Sequence, residues 1–323
     1  MVDKSCAFLS AIELSPIILF YLSIVAIESV IGIVGNGFIL VINLASWVRN
    51  RVVSSCDMIL IFLSFSRLCL QSCMLMDFVC NLFYPSFYNQ DDVYENFKAI
   101  FMFLNNSSLW FATWLGVFYC AKIANFNHSS FLWLKQNISS LVPWLLAGSL
   151  LFSFGSSLPF YWDIYKVYCN YSTAFPLENT TELKVIKNTN LFYVIFLCNA
   201  SLSLPTIVFV SSIVLLISSL WRHTKQMQNN GTGLRDPSTE AHRGAIKSVF
   251  SFLILYFFNL IALILTLSNI FSAYGTWDIL CMLVMSAYPM VHSVILILGN
   301  PKLRRVSLKF LHYASCHFRG GPT

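Results

Sequence analysis

Charged side chains are scarce in this sequence, because Asp, Glu, Lys and Arg make up only 11% of its 323 residues while 57% are hydrophobic. A typical soluble domain carries about 25% charged residues. A soluble protein with so few charges would expose large apolar patches and aggregate. The scarcity therefore excludes an ordinary soluble protein and favours helices that are embedded in a lipid bilayer.

Signatures of catalysis and of metal binding are also missing. The sequence contains no HExxH, no GxSxG, no phosphate-binding glycine loop, and no CxxC pair or Cys/His cluster with metal-ligand spacing. The net charge of +6 is spread over short loops rather than concentrated on one basic face, which argues against nucleic acid as a partner. We therefore predict that the protein is not an enzyme and needs no cofactor.

Long apolar runs are what the sequence does have. With short polar connections between them, they predict an all-α bundle of seven transmembrane helices over residues 16–299, an N-terminal segment over 1–15 and a C-terminal tail over 300–323. Two connections are longer, namely Asp163–Thr189 and Trp221–Ala245. The apolar segments are Pro16–Trp47, Asp57–Tyr84, Phe97–Ala124, Ser140–Trp162, Asn190–Leu220, Ile246–Ile270 and Asp278–Gly299.

The distribution of lysine and arginine predicts the orientation. With the N-terminus outside, fourteen of the 20 basic residues lie on the cytoplasmic side, which satisfies the positive-inside rule. The C-terminus is then cytoplasmic, and the loop Asp163–Thr189 is extracellular. That loop contains the glycosylation sequons of Asn170 and Asn179. Cys80 and Cys169 also fall near the outer surface, and whether they form a disulfide stays open.

Three ionisable residues interrupt the first two apolar segments: Glu28, Arg67 and Asp77. Each is costly in hydrocarbon, so each is expected to face the bundle interior and to have a partner. Glu28 and Arg67 lie at similar depths near mid-membrane, so the geometry allows an ion pair between them. Such a pair is interpreted as structural or as a hinge of an activating switch, with ligand contact as the less favoured alternative. Asp77 lies nearer the outside, where it either attracts a ligand or caps a local network.

Polar and methionine side chains in the other helices raise a similar choice. Asn105 and Asn106 in the third helix and Asn259 in the sixth either hold helices together or line an outer cavity. Phe101, Met282 and Met285 would give such a cavity an adaptable apolar wall, although residues of these types are more often part of the core or lipid-facing.

The sequence lacks the signatures common to rhodopsin-like receptors: an acid-arginine-aromatic triplet, a Trp-x-Pro step and an Asn-Pro-x-x-Tyr close. In their places it closely resembles the bitter taste receptors, the taste receptor type 2 family. Glu28 and the Gly35-Asn36-Gly37 step fit this family as well. The other matching stretches are LSFSR (63–67), LWFATWL (109–115), FYCAKIANF (118–126), LLISSLWRH (215–223), AHRGAIK (241–247) and HSVILILGNPKLR (292–304).

This resemblance implies a multi-pass plasma-membrane receptor that is activated by diverse bitter compounds. It also implies a gustducin-type heterotrimeric G protein as partner, which leads to phospholipase C and calcium release. Two departures from the family are the third-helix tryptophan, which is Phe101 here, and the sixth-helix aromatic residue, which is Asn259 here. The implied ligand-contact residues are Asp77, Phe78, Phe101, Asn105, Asn106, Asn259, Met282 and Met285.

Two further sets of residues complete the functional expectation. Glu28, Asn36 and Arg67 form an intramembrane set with a structural or switching role. The second set is a basic inner face that would meet the G protein and anionic lipid, although topology explains its charges equally well. It consists of Lys122, Arg222, His223, Lys225, His242, Lys247 and Lys302.

Other classes of function stay open from the residues alone. A small transporter or channel would need a continuous polar path, for which only Glu28, Arg67 and Asp77 are available. A membrane-embedded enzyme has no motif to support it. A vomeronasal-type receptor is a nearer alternative, but the third-helix and seventh-helix stretches fit it poorly. A receptor oligomer is possible in any of these cases.

Overall fold

The structure is a computed structural model, which describes residues 16–84, 87, 91–158, 164–171, 182–189, 191–229, 237–267, 270–271 and 276–319. Most of these residues are helical. The helices are α1 (Pro16–Asn50), α2 (Ser55–Phe83), α3 (Asp91–Ile123), α4 (Ser129–Ser157), α5 (Leu191–Asn229), α6 (Pro237–Leu267), α7 (Thr276–Gly299) and α8 (Pro301–Arg319).

Helices α1 to α7 overlap the seven apolar segments of the sequence, and several extend well beyond them. Helix α4 begins at Ser129 instead of Ser140, and α5 continues to Asn229 instead of Leu220. Hydropathy detects only the part of a helix that is solvated by lipid. Polar turns beyond the bilayer satisfy their own backbone hydrogen bonds equally well, so the helix ends fall outside the apolar segments.

The described residues contain five spans long and apolar enough to cross a membrane, in α1, α2, α4, α5 and α7. Helix α6 contributes a shorter apolar stretch, Phe250–Thr266. Helix α3 is not among the candidates, and its apolar run is interrupted by four consecutive polar residues, Asn105 to Ser108. The protein is therefore a multi-pass membrane protein by composition.

The loop between α4 and α5 contains an antiparallel pair of strands, β1 (Ile164–Tyr171) and β2 (Glu182–Thr189). Ile164 pairs with Thr189 and Tyr171 with Glu182. The sequence predicted an all-α protein. This prediction is confirmed for the helices, but it did not include the strand pair. Asn179 and the side chain of Asn170 lie outside the described residues. Cys80 is a buried free cysteine, and the side chain of Cys169 lies outside the described residues.

Helix α3 is the centre of the bundle, since it packs against α2, α4 and α5. Helix α1 packs against α2 and α7, and α6 packs against α5 and α7. The core is largest along α3, where Leu109, Phe111 and Ala112 are almost completely buried. A side chain on α3 is therefore placed to contact several other helices at once.

The surface is apolar where a soluble protein would be polar. Trp144 and Leu151 on α4 are 77% and 75% exposed, respectively, and Val34 on α1 is 67% exposed. The interior is correspondingly polar, with buried side chains such as Asn36 and Gln71. This inverted distribution is what a lipid environment stabilises, because lipid solvates apolar surface and polar groups need protein partners.

Helix α8 follows α7 almost directly. The Oδ1 atom of Asn300 accepts hydrogen bonds from the backbone N–H groups of Lys302 (3.0 Å) and Leu303 (3.4 Å), which caps the first turn. Leu303 is fully buried, whereas Phe310 and Leu311 are exposed. The hydropathy pattern predicts only a tail for residues 300–323, although the basic and apolar residues there alternate with helical spacing.

Candidate functional site

Arg67 on α2 is completely buried and joins three helices. Its Nε donates to Ser108 Oγ on α3 (3.1 Å), and its Nη2 donates to Tyr288 OH on α7 (3.0 Å). Its Nη1 contacts His292 Nδ1, also on α7. The guanidinium carbon lies 4.9 Å from the centroid of the Tyr288 ring, within cation–π range.

The contact with Arg67 determines which nitrogen of His292 is protonated. An arginine has only donors, so Nδ1 of His292 must accept and its hydrogen resides on Nε2. The buried imidazole is then neutral. Its ring stacks on Phe252 of α6, with centroids 3.9 Å apart and an interplanar angle of 20°. Arg67, Ser108, Phe252, Tyr288 and His292 are called the Arg67 cluster below.

The Arg67 cluster continues toward α5 through aromatic contacts. The ring centroid of Phe252 is 4.9 Å from that of Phe209 on α5. The ring centroid of Phe209 is in turn 4.7 Å from that of Tyr256 on α6. The hydroxyl groups of Tyr256 and Thr206 are 3.0 Å apart. Thr113 on α3 donates to the carbonyl of Pro205 on α5 (3.3 Å). Buried contacts thus connect α2, α3, α5, α6 and α7 at one depth of the bundle.

Glu28 does not pair with Arg67. Its Oε2 atom accepts a hydrogen bond from Ser286 Oγ on α7 at 2.5 Å, and Glu28 is half-buried. The predicted ion pair is therefore wrong. Counting residues from the helix ends places the two groups at similar depths, but it does not show the direction in which each side chain points. Helix α7 supplies partners to both residues.

Asn36 holds α1 against α7. Its Nδ2 donates to the carbonyl of Gly32 (2.9 Å) and also to that of Pro289 (3.5 Å). The second bond is long, but Asn36 is fully buried and its partner lies on another helix. This contact favours a structural role among the alternatives that the sequence left open for Asn36.

The asparagines of the predicted cavity differ in their partners. Asn106 donates from Nδ2 to Ser156 Oγ on α4 (3.0 Å), so it helps to join α3 to α4. Asn105 and Asn259 are 6% and 3% exposed, and the Nδ2 atom of each has no hydrogen-bond partner in the described structure. A buried carboxamide that keeps an unpaired end is able to bond a ligand.

Phe101, Met282 and Met285 are half-buried. Phe101 and Met285 pack against the core. The sulfur of Met282 accepts a hydrogen bond from Tyr21 OH on α1 at 3.1 Å. Asp77 is half-buried near the C-terminal end of α2 and has an interaction partner. The side chain of Phe78 lies outside the described residues.

Three of these residues lie one helical turn from the buried contacts, toward the N-terminal ends of α3 and α7 and the C-terminal end of α6. Asn105 is three residues from Ser108, Asn259 is three residues from Tyr256, and Met285 is three residues from Tyr288. Three residues of helix rise by about 4.5 Å. The structure therefore brings these three side chains to a similar depth, one turn beyond the Arg67 cluster and its aromatic extension.

Contacts at the opposite end of the bundle occupy Lys302. Its Nζ atom forms an ion pair with Asp57 Oδ2 on α2 (3.1 Å) and a hydrogen bond with Asn43 Oδ1 on α1 (3.0 Å). Lys122 is exposed, with its Nζ 5.8 Å from the ring centroid of Phe118. Arg222 is also exposed. The side chains of the other predicted basic-face residues, His223, Lys225, His242 and Lys247, lie outside the described residues.

Several residues of the site were not singled out from the sequence. Ser108 lies two residues after Asn106, and His292 appears in the sequence only as the first residue of the stretch HSVILILGNPKLR. Tyr288, Phe252 and Tyr256 carry no distinguishing sequence signal, because aromatic residues are frequent throughout this chain, with 29 phenylalanines and 14 tyrosines. No group of three or more potential metal ligands occurs among the described residues.

Comparison with known proteins gives one consistent family. The model of the family "Taste receptor protein (TAS2R)" matches residues 14–315. Taste receptor type 2 member 40 of Gallus gallus is 48% identical over 92% of this chain and 95% of its own length. Taste receptor type 2 member 39 is 47% identical in Homo sapiens, over 91% of this chain and 87% of that protein. Taste receptor type 2 member 39 of Mus musculus is 42% identical, over 91% of this chain and 92% of that protein.

Proposed function

The chain belongs to the taste receptor protein (TAS2R) family, and we propose that it is a receptor that binds bitter compounds and activates a heterotrimeric G protein. The proposed G protein is of the gustducin type, which leads to phospholipase C and calcium release. The proposed location is the plasma membrane. Membership of a receptor family also agrees with the absence of catalytic motifs from the sequence.

The proposed topology has seven crossings, with the N-terminus outside. Helices α3 and α6 complete the set that begins with the five long apolar spans. Support comes from the basic residues, because fourteen of the 20 fall on the proposed cytoplasmic side. In this topology the strand pair is extracellular and α8 lies at the inner surface.

The proposed agonist site lies between the outer halves of α2, α3, α6 and α7. Asn105 and Asn259 supply unpaired amide groups, while Met285 and Phe101 supply apolar surface. Since the family resemblance places Asn259 at the position of an aromatic residue, we expect hydrogen bonding to replace stacking there. Adaptable methionine walls with few polar anchors favour broad selectivity and modest affinity. Asp77, Phe78, Asn106 and Met282 complete the proposed site.

One observation carries the proposal for activation: the Arg67 cluster and its aromatic extension contact five helices directly inward of that site. An agonist that binds one arrangement of α3, α6 and α7 better than another shifts the population toward it. A tenfold difference in affinity corresponds to about 1.4 kcal/mol. Because these contacts are buried and specific, rearrangement at the outer side would be transmitted to the inner helix ends.

The inner ends of α3, α5 and α6 form the proposed G-protein face. Lys122 and Arg222 are exposed and basic, as such a surface requires. Lys302 differs from these two residues, because its ammonium group is already paired with Asp57. For Lys302 we therefore propose a role in holding α8 in place, which differs from the direct contact that the sequence suggested.

A calcium-release screen of bitter compounds, in cells supplied with a gustducin-type G protein, tests the proposed function. Once an agonist is found, the variants Asn105→Ala and Asn259→Ala should raise its half-maximal concentration by about fivefold or more, the effect of losing one hydrogen bond of about 1 kcal/mol. Asn137→Ala is the matched control, because Asn137 lies near the opposite end of α4 and bonds only to its own helix.

Surface expression of all three variants is measured in parallel. No calcium response to a broad panel, with the receptor present at the cell surface, would contradict the proposed function. If the dose–response curves of Asn105→Ala and Asn259→Ala equalled that of the unmodified receptor, the agonist would bind outside the proposed site. Agonist-evoked currents that persist when G-protein signalling is blocked would instead favour a channel.

A further inference from the structure

The positive charge of Arg67 has no counter-charge among the described residues. Its partners Ser108, Tyr288 and His292 are all neutral acceptors, and it forms no ion pair with a carboxylate. The side chain is nevertheless completely buried. Burial of an unpaired charge is strongly unfavourable, and the cation–π contact with Tyr288 offsets only part of that penalty.

The guanidinium group also has hydrogen-bonding capacity to spare. An arginine side chain carries five N–H donors, and each of the three partners of Arg67 accepts one of them. Two N–H groups on the terminal nitrogens therefore remain available. Since the protein interior contains no bulk water, these donors require an acceptor near the guanidinium group.

Unpaired polar groups are concentrated on the neighbouring turns of α1 and α2. Gln71 lies four residues from Arg67 on the same face of α2, is fully buried, and has no hydrogen-bond partner at either end of its carboxamide. Ser29 Oγ and Asn36 Oδ1 on α1 are buried and unpaired in the same way. Few buried polar groups are unpaired in native proteins, so such a concentration requires an explanation.

Gly32 brings these groups together. A Cβ atom at position 32 would overlap the carboxamide of Gln71, so this side chain lies directly against the α1 backbone. Ser29 is one turn outward of Gly32, and Asn36 is one turn inward. Asn36 is anchored through Nδ2 to the carbonyls of Gly32 and Pro289, which leaves Oδ1 as its unpaired atom. Because Oδ1 of Asn36 is an acceptor and cannot bond an anion, only Ser29, Arg67 and Gln71 are called the α1–α2 polar cluster.

We propose that the α1–α2 polar cluster binds one small monovalent anion, such as chloride, beside the Arg67 guanidinium group. The anion supplies the missing negative charge and accepts hydrogen bonds from the spare N–H groups of Arg67 and from Nε2 of Gln71. The hydroxyl group of Ser29 is a further donor on the α1 side. Glu28 does not fill this role, because its carboxylate bonds to Ser286 on α7.

A halide suits this cluster better than a carboxylate side chain from a neighbouring helix. It is spherical, so donors that converge from α1 and α2 at different angles bond to it equally well. Neutralising Arg67 would stabilise the arrangement in which its guanidinium group joins α2 to α3 and α7. The anion would therefore stabilise the folded bundle, independently of which compound occupies the outer cavity.

Thermal unfolding of the purified full-length receptor in lipid nanodiscs tests the proposal. Sodium chloride is titrated against sodium gluconate at constant ionic strength, because gluconate is too large for a site between two packed helices. We expect the unfolding midpoint Tm to rise saturably with chloride, and bromide to act similarly. The variant Gln71→Met keeps a similar volume but removes the amide donors. It should raise the half-saturating chloride concentration by about tenfold, as expected for losing a hydrogen bond to an ion.

The matched control is Gln136→Met, since Gln136 is exposed near the inner end of α4 and should leave the chloride response unchanged. A receptor whose Tm is the same in chloride and gluconate holds buried water only, and the proposal is then wrong. An equal response in the receptor and in Gln71→Met shows that ions act elsewhere, which also overturns it. Should Gln71→Met fail to fold, the site is tested in the unmodified receptor by the anomalous X-ray scattering of bromide. A bromide peak beside Arg67 supports the site, and the absence of a peak refutes it.

Discussion

At the Arg67 guanidinium group, three neutral acceptors on α3 and α7 take the place that a carboxylate would hold in an ordinary buried ion pair. Its complete burial confirms the prediction that this residue faces the bundle interior. The identity of its partners could not be predicted, because depth in the membrane can be counted along a helix whereas the rotation of a helix about its axis cannot. Ser108, Tyr288 and His292 became visible only once the helices were packed.

Close approaches between helices also depend on single residues. A Cβ atom at Gly35 on α1 would lie 2.5 Å from Ser293 Oγ on α7, and Ser293 is fully buried with its hydroxyl group bonded to Met290 O. At Gly148 on α4, by contrast, nothing lies within 4 Å of an added Cβ atom. The two glycines are both helical, so they differ mainly in what surrounds them.

We predict opposite effects of alanine at these two glycines. Gly35→Ala should lower the free energy of unfolding by about 1–3 kcal/mol, because an added methyl group overpacks the contact between α1 and α7. Gly148→Ala should be neutral or raise it by up to about 1 kcal/mol, because alanine has the higher helix propensity.

Unfolding of the purified variants in the same lipid measures both effects. Adding Ser293→Ala to Gly35→Ala should restore part of the lost stability, since it removes the atom that the methyl group meets first. If Gly35→Ala proved as stable as the unmodified receptor, the close packing of α1 on α7 would be refuted.

At the scale of whole elements, α8 is positioned by a small set of polar contacts at its first turn. Lys302 bonds to α2 through Asp57 and to α1 through Asn43, while Asn300 caps the backbone. The side chains of the ion pair are 34% and 25% exposed, so solvent screens part of their attraction. The same element also packs Phe310 edge-to-face on Phe38 of α1, with centroids 6.2 Å apart.

We predict a measurable coupling between Lys302 and Asp57. In a double-mutant cycle with Lys302→Gln and Asp57→Asn, the interaction energy should be about 0.5–1 kcal/mol, the upper part of the range for partly exposed ion pairs. It should decrease as salt is raised, because the pair is accessible to ions. Unfolding of the four receptor forms at two salt concentrations provides the measurement.

Lys309→Gln is the control for this cycle, since Lys309 is exposed on the same helix and should not couple to Asp57→Asn. Additive effects of Lys302→Gln and Asp57→Asn at both salt concentrations would mean that the pair does not hold α8. In that case Lys302 would again be a candidate for direct contact with the G protein.

For the molecule as a whole, the lipid bilayer is the environment that explains the inverted distribution of polar and apolar residues. Trp144 and Leu151 are exposed on the outside of the bundle, whereas Asn36 and Gln71 are buried within it. Composition alone predicted this environment. The prediction that the Asp163–Thr189 and Trp221–Ala245 loops lie on opposite sides of the membrane follows from charge and needs its own test.

We predict that the receptor carries N-glycan on Asn179 and none on Asn230. Both residues occupy sequons, but only the first lies in the loop assigned to the outside. Removal of N-glycan should increase the mobility of the receptor on a denaturing gel. Asn179→Gln should abolish all or part of that shift, depending on whether Asn170 is also modified.

Asn230→Gln serves as the control and should leave the mobility unchanged. Loss of the shift in Asn230→Gln would place the Trp221–Ala245 loop outside and reverse the proposed orientation. Epitope tags in the two loops, stained in intact and in permeabilised cells, check the same assignment without relying on glycan.

The membrane environment, the approximate positions of α1 to α7 and the family could all be predicted from the residues alone, because they depend on composition and on long stretches of matching residues. The sequence also identified Arg67 and Asn36 as important interior positions. The bond of Glu28 to Ser286, the bonds of Arg67 to α3 and α7, and the pairing of Lys302 with Asp57 became evident only from the packed helices. Hydrophobicity depends on the amount of apolar surface, whereas a hydrogen bond depends on the direction of two particular side chains, which is set only when the helices pack.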